Sequence, residues 1–487
     1  MERRQFQVLV AITAAGAVAR FATLDLQSFQ HDEAVTAGRI LHPGLLHTLD
    51  AVAQSERSPP LYYTLAWAWS QVFGLGEMGL RSLSAIVGSL TIPAAWYAGR
   101  ELASSRAGLI GASLVAFNPL LIWYSQEARS YVLLVLFSTL ALAYFARAAR
   151  HPSPRPLALW AVASVLALSS HYFAAFMVAP QLVWLLVRAP VSTRRQTMAA
   201  GGAVVAIGLA LLPLAQAQQG EGRRDPFLDQ ALSRRTLEVA VDTFAGEQPE
   251  PFVAERRVDL VQGGALAVGA ASLLAAATLT LVAGTRRERL GMAMAGGTAA
   301  AAVLGPVALA LASVDLVVPR NMLGGCVPLM LVLGIGLGLE RRRRVGLVIA
   351  TAALGTLALV GVAAATTDRM QRLDWRSAAA AAGSSDTPRI VVVNKLGDDP
   401  IKWYLGARDL RGPARVTEVV VISISAEITP PPRFRLVQTR RASRFLIRRF
   451  QAPRRVRVRR SDYAARRLLH ERSDVLIDRP ELPGGGG

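Results

Sequence analysis

The chain has 487 residues, 52% of them hydrophobic and 18% charged, with a net charge of +20 and one cysteine. That balance excludes an ordinary soluble domain, which carries more charge and shorter apolar runs; a single cysteine excludes an intramolecular disulfide and a cysteine-built metal cluster. The basic excess is almost all arginine, with Lys395 and Lys402 the two lysines, so it reads as a coding bias with topological meaning rather than as nucleic-acid affinity, and no nucleic-acid partner is expected.

A bilayer core about 30 Å thick takes roughly 20 helical residues, and residues 1–365 divide repeatedly into apolar segments of that size. In hydrocarbon every backbone polar group must pair within its own segment, so the expectation is an all-α polytopic membrane protein. Met1 to Arg4 precede a first span, Phe6 to Leu24, with no cleavage site after it, and their positive charge places the N-terminus in the cytoplasm. Residues 25–60 are then an outer loop holding His31-Asp32-Glu33 and a helix-like stretch, Gly38 to Gln54. Leu61 to Phe73 is apolar but short and rich in Trp and Tyr. The basic loop Arg100 to Arg106 belongs inside, which forces Leu61 to Phe73 to lie at the outer surface rather than cross.

The remaining spans follow in register: Ser82 to Gly99, Ala107 to Trp123, Tyr131 to Arg147, Leu157 to Ser170, Tyr172 to Val187, Met198 to Gln216, Gln262 to Ala283, Leu290 to Val314, Met322 to Leu339 and Val345 to Ala365. The total is eleven, with a long polar outer loop at 217–261 and basic inner turns such as Arg341 to Arg344. Residues 1–365 are thus a membrane module. Residues 366–487 form a soluble extracytoplasmic α/β region with strands at Arg389 to Asn394 and Val416 to Ser425, followed by an Arg-rich tail, 433–472, and flexible terminal glycines.

Several ionisable groups fall at the outer ends of spans: Asp32-Glu33, then Glu127 and Arg129, then Asp315 and Arg320. Charge beside hydrocarbon is costly unless paired or solvated, so each is a functional candidate. Each also has a plain alternative. Asp32-Glu33 fits a helix N-terminus, Glu127 and Arg129 a loop ion pair, Arg320 a snorkelling anchor, and Tyr62, Tyr63 and His171 an interfacial belt. Arginine suits phosphate because its fork bonds two oxygens, and a carboxylate suits a hydroxyl acceptor because it can take the proton.

The strings HDEAVTAGRIL, SPPLYYTLAWAWSQVFG, GLRSLSAIVGSL, NPLLIWYSQEARSYVLLVL and VVPRNMLGGCVPLMLVLGIGLG, in that order, resemble the GT-C membrane glycosyltransferases, in particular bacterial relatives of the protein O-mannosyltransferases and the lipid A aminoarabinose transferase. The resemblance covers roughly residues 1–340. It implies an enzyme of the cytoplasmic membrane that moves a sugar, mannose first, from a polyprenyl-phosphate donor to a lipid, glycan or protein acceptor by a metal-independent inverting displacement without a cofactor. It implies Asp32, Glu33 and Glu127 as catalytic carboxylates, and Arg129 and Arg320 as substrate contacts, Arg320 on the donor phosphate. Tyr62, Tyr63 and His171 are further substrate-contact candidates. Ser58 stands where many relatives have His or Lys, and Asn321 where Tyr is usual. The competing class is a transporter or flippase, disfavoured because the acidic groups sit at outer helix ends rather than mid-membrane and no paired repeat is evident.

Overall fold

The computed structural model describes residues 3–218, 226–247, 259–394, 396–424, 428–463, 469 and 473–479. They divide into two compact units. One is built from the chain up to Leu24 and from Ile40 to Met370; the other joins Asp25–Arg39 to the chain from Gln371 onward.

The first unit is helical: α1 (Arg3–Phe21), then, after the short α2 (His31–Val35) of the second unit, α3 (Leu45–Ser55), α4 (Leu61–Phe73), α5 (Glu77–Leu102), α6 (Ser105–Phe117), α7 (Pro119–Ser125), α8 (Tyr131–Arg150), α9 (Pro154–Ser170), α10 (Ala174–Arg188), α11 (Arg194–Ala217), α12 (Leu232–Ala245), α13 (Leu260–Ala283), α14 (Arg286–Leu311), α15 (Cys326–Leu337) and α16 (Arg343–Thr366). A helix occupies each of the eleven expected spans, and α4 has the bounds expected of the surface helix. Among the described residues, seven helical segments are long and apolar enough to cross a bilayer alone, and α6 with α7 makes an eighth. The other three are α1, which carries Arg3, Arg4 and Arg20 in 19 residues, and α9 and α10, with 17 and 15.

Two expectations change. Ala107 to Trp123 is not one straight helix: it bends by 61° at Asn118. Pro119 has no N–H and disfavours the helical conformation of the residue before it. Asn118 is accordingly extended, and its side chain caps α7 by accepting from Leu121 N at 3.0 Å. Met322 to Leu339 likewise begins as a 3₁₀ turn, Pro319–Gly325, before α15. The outer loop 217–261 contains α12, while its stretches 219–225 and 248–258 lie outside the described residues. In the apolar stretch of Pro319–Leu337 83% of residues are buried within the protein, against 11% in that of Val191–Ala217, so the former is central and the latter peripheral. Small residues allow the close packing: a Cβ on Gly99 would meet Gly108 Cα at 2.6 Å, and one on Gly334 would meet Ala107 O at 2.5 Å.

The second unit carries α2, α17 (Trp375–Ala382), α18 (Asp398–Leu405), α19 (Arg460–Tyr463) and a six-stranded sheet. Its strands are β1 (Arg389–Asn394), β2 (Arg408–Asp409), β3 (Ala414–Ser423), β4 (Arg435–Ala442), β5 (Phe445–Val458) and β6 (Ser473–Asp478), in the order β2-β6-β1-β3-β5-β4. Among the described residues only β1 and β3 pair in parallel, with α18 in the connection between them. Both are apolar on both faces, so they read as continuous Val and Ile runs. One face packs Val391, Val393 and Ile422 against Trp375, Ala378 and Ile401; the other packs Ile390, Val419 and Val421 with Phe434, Phe450 and Tyr463. Much of the Arg-rich stretch is therefore part of the sheet: β4 and β5 form its edge hairpin, with most arginines exposed. Arg389, on β1 and outside that stretch, contrasts with them. It is fully buried between Glu418 (3.2 Å) and Asp478 (2.8 Å).

Candidate functional site

In the second unit Asp32 and Glu33 lie in the first turn of α2. Glu33 is completely buried. It accepts from Arg372 Nη1 at 3.0 Å and from the backbone N–H of Gln30 at 3.2 Å, the second bond closing a capping box. Its carboxylate is thereby committed to the fold. Asp32, its neighbour, is half-buried rather than sealed.

In the first unit the loop between α7 and α8 presents Glu127 and Arg129, and Arg129 forks onto Glu56. Nη1 reaches Oε1 at 2.9 Å and Nη2 reaches Oε2 at 2.8 Å, with the Glu56 side chain 4% exposed. Tyr63 donates its hydroxyl to Glu56 Oε2 at 2.6 Å, and its ring lies 5.8 Å from the Arg129 guanidinium carbon. Burial lifts the Tyr63 phenol well above its ordinary pKa against the opposing pull of Arg129, so it stays protonated and donates. Both Tyr62 and Tyr63 are fully buried, not belt aromatics; the Tyr62 hydroxyl meets Ser84 Oγ at 3.4 Å. Sequence reasoning missed Glu56. The signal was present, an acid three residues before Pro59-Pro60, but nothing in a polar loop distinguishes a buried acid from a solvated one.

His171, at the turn between α9 and α10, packs on Tyr131 with ring centroids 5.6 Å apart. It is buried, and burial, then Arg129, then Arg320, push its pKa down to about 3. The imidazole is neutral, and its Nδ1 accepts from Phe173 N at 3.3 Å, which leaves the proton on Nε2. Tyr63, Arg129, His171 and Arg320 are thus gathered in one region.

Arg320 lines a recess together with Tyr124, Asp242, Thr243, Leu120 and Cys326. Glu127 and Glu247 both act electrostatically on the Tyr124 hydroxyl. Asp315 does not face the recess as a free acid. It takes a two-pronged bond from Arg235, at 2.9 and 2.6 Å, and Arg235 also donates to Val317 O at 2.6 Å, which fixes the segment leading into Arg320. Asp242 and Thr243 come from α12, where sequence reading assigned no roles. The recess offers a guanidinium, a carboxylate and two hydroxyls among apolar walls, the character of a site for an amphiphile with an anionic head.

A structure of ArnT from Cupriavidus metallidurans bound to undecaprenyl phosphate superposes on 90% of this chain and 97% of its own, at 14% identity and a TM-score of 0.57. The chain has the GT-C fold. The oligosaccharyltransferase AglB from Archaeoglobus fulgidus, in complex with an inhibitory peptide and a dolichol-phosphate, matches 83% of this chain and 60% of its own at 15% identity, with a TM-score of 0.50. A family model described as dolichyl-phosphate-mannose-protein mannosyltransferase matches residues 57–215 of this GT-C chain, a stretch that includes Glu56's neighbours Arg57 and Ser58, the α6–α7 bend, Glu127, Arg129 and His171. No curated protein sequence matches.

Among the described residues one group has metal-ligand spacing: His31, Asp398 and Asp399 of the second unit, with ligand atoms within 4.8 Å of one another. Sequence reading saw no such cluster, because His31 and the two aspartates are far apart in the chain. Cations already answer both carboxylates: Lys402 lies 3.0 Å from Asp398, and Arg39 3.3 Å from Asp399.

Proposed function

We propose that this chain is a membrane glycosyltransferase that takes a sugar, mannose in the first instance, from a polyprenyl-phosphate donor and passes it to a hydroxyl acceptor at the outer face of the cytoplasmic membrane. The observation that carries the proposal is the Arg320 recess, a polar hollow at the end of apolar helices in a chain of GT-C fold. A lipid-phosphate leaving group needs a cation where its tail can stay in hydrocarbon, and Arg320 meets both conditions. The ArnT and AglB structures were solved with undecaprenyl phosphate and dolichol-phosphate respectively, which supports a polyprenyl-phosphate ligand class.

For the base, the proposal keeps Asp32 and sets Glu33 aside, since Glu33 is sealed against Arg372. Glu127 is proposed to act through the Tyr124 hydroxyl at the recess rather than as the base. Arg129, tied to Glu56, and His171, held neutral, are proposed to shape the recess; Tyr62 and Tyr63 are proposed to pack beneath it. The displacement is proposed to be inverting and metal-independent: phosphate leaves as the acceptor oxygen attacks the anomeric carbon from the opposite side, and the acceptor proton passes to the carboxylate. The proposal also places the N-terminus in the cytoplasm and the second unit outside.

The test is transfer from polyprenyl-phosphate mannose to a membrane lipid extract by purified protein, with and without a chelator. Wild type transfers in both conditions. Asp32→Asn loses activity about 100-fold or more, as removal of a general base does. Activity abolished by the chelator overturns metal independence, and full activity in Asp32→Asn overturns the choice of base.

A further inference from the structure

One buried charge is left unused by that reaction. Arg20, at the end of α1, is 1% exposed. Among the described residues no carboxylate pairs with it. Its partners are Ser125 Oγ (Nε, 3.1 Å), Gly16 O and Ala116 O (Nη1, 2.9 and 2.8 Å) and Val115 O (Nη2, 3.1 Å). A charged group buried against hydrocarbon is costly, so its location calls for a physical account.

The account lies in the broken helix. In an unbroken helix Val115 O would accept from the N–H four residues on, at position 119. That residue is Pro119, which has none. Ala116 O would accept from Leu120, which lies beyond the 61° bend. Arg20 takes two of the carbonyls that the bend strands, and the C-terminal end of α6 is where a cation is favoured. Nε meanwhile bonds Ser125 at the far end of α7, so one guanidinium ties both arms of the break. The end of α1 grips the next residue as well: Gln126 Nε2 donates to Arg20 O at 2.9 Å and to Thr23 Oγ1 at 2.6 Å. Space is kept by two glycines. A Cβ on Gly88 would come within 2.1 Å of Ser125 Oγ, and one on Gly16 within 2.4 Å of Ile92 Cδ1.

We propose that Arg20 is a positioning residue, a latch that holds the α6–α7 break at its bend and so sets Tyr124 at the recess and the loop after α7 that carries Glu127 and Arg129. The proposal of positioning rests on the reading of the recess as the reaction site; the latch itself does not. Lysine cannot replace it, because one ammonium cannot span acceptors on both arms of the break.

The test uses full-length protein in lipid nanodiscs with spin labels at cysteines introduced at Leu109 and Ile122, one on each arm of the break; Cys326 is buried and does not compete. Wild type gives one narrow label-to-label distance. Arg20→Met and Arg20→Lys both broaden and lengthen it as the arms come free. Sugar transfer falls about tenfold or more in kcat while the donor KM moves far less, as misplacement of reacting groups produces. If Arg20→Met does not insert, Ser125→Ala removes one of the four side-chain bonds and gives the same change on a smaller scale. A wild-type distance distribution in Arg20→Met or Arg20→Lys overturns the latch. A changed distance with wild-type kcat overturns the positioning role. The label measurement needs no sugar transfer, so absence of transfer in wild type would count against the glycosyltransferase reading and leave the latch to be judged on distance.

Discussion

Each unit holds a buried glutamate on an arginine, and the two pairs differ in what surrounds them. In the membrane unit Glu56 accepts a forked bond from Arg129 and a third from Tyr63, close to His171, on which Arg129 and Arg320 both act. In the α/β unit Glu33 accepts from Arg372 and, through a capping box, from the backbone N–H of Gln30 in its own helix turn. The first pair depends on side chains from three segments, the second partly on local backbone. The same residue types in the sequence therefore mark a tertiary junction in one case and a helix start in the other.

The comparison breaks most sharply under truncation. Arg129→Met strands the Glu56 carboxylate in a buried place and is expected to destabilise the protein by about 3–5 kcal/mol, while Glu56→Met with Arg129→Met regains most of it. Thermal melting in detergent reads this, and a double variant no better than the single one contradicts the pairing. Glu33→Gln keeps the shape and part of the capping box, and its expected cost is smaller, about 1–3 kcal/mol, as for loss of a bond between charged groups. A Glu33→Gln cost above that of Arg129→Met reverses the comparison.

A third, comparable effect is a pH dependence. His171 titrates near its ordinary value in the unfolded chain and at about 3 in the folded one. Between those values the unfolded state binds the extra proton, so stability falls as pH drops, by about 2 kcal/mol from pH 7 to pH 5. His171→Gln removes that slope; an unchanged slope in the variant assigns the acid sensitivity to other groups.

Legibility followed the range of the interactions. Leu61 to Phe73 and Arg389 to Asn394 were readable to the residue because local pattern and charge parity decide them. The bend at Asn118 was not, since one proline inside an apolar window does not interrupt hydropathy. The β4–β5 hairpin read as a basic tail because arginines fill its exposed positions, although Phe445 and Ile447 on one side of the sheet and Phe450 on the other mark its buried positions. Among the candidate residues Glu33, Arg129, His171 and Arg320 were legible from charge and position at helix ends. Their partners were not: Glu56 is 73 residues from Arg129 and Arg372 is 339 from Glu33, and nothing local records a bond over that distance.

Arg320 is proposed to receive the phosphate of a polyprenyl-phosphate sugar. The most direct test is transfer of labelled mannose from polyprenyl-phosphate mannose by purified protein, wild type against Arg320→Ala, each checked for an unchanged melting temperature. Wild type is expected to transfer the sugar and the variant to lose about 100-fold or more, the size seen when a group that stabilises developing negative charge is removed. Equal transfer by the two proteins, or none by wild type from any polyprenyl-phosphate sugar, would contradict the proposal.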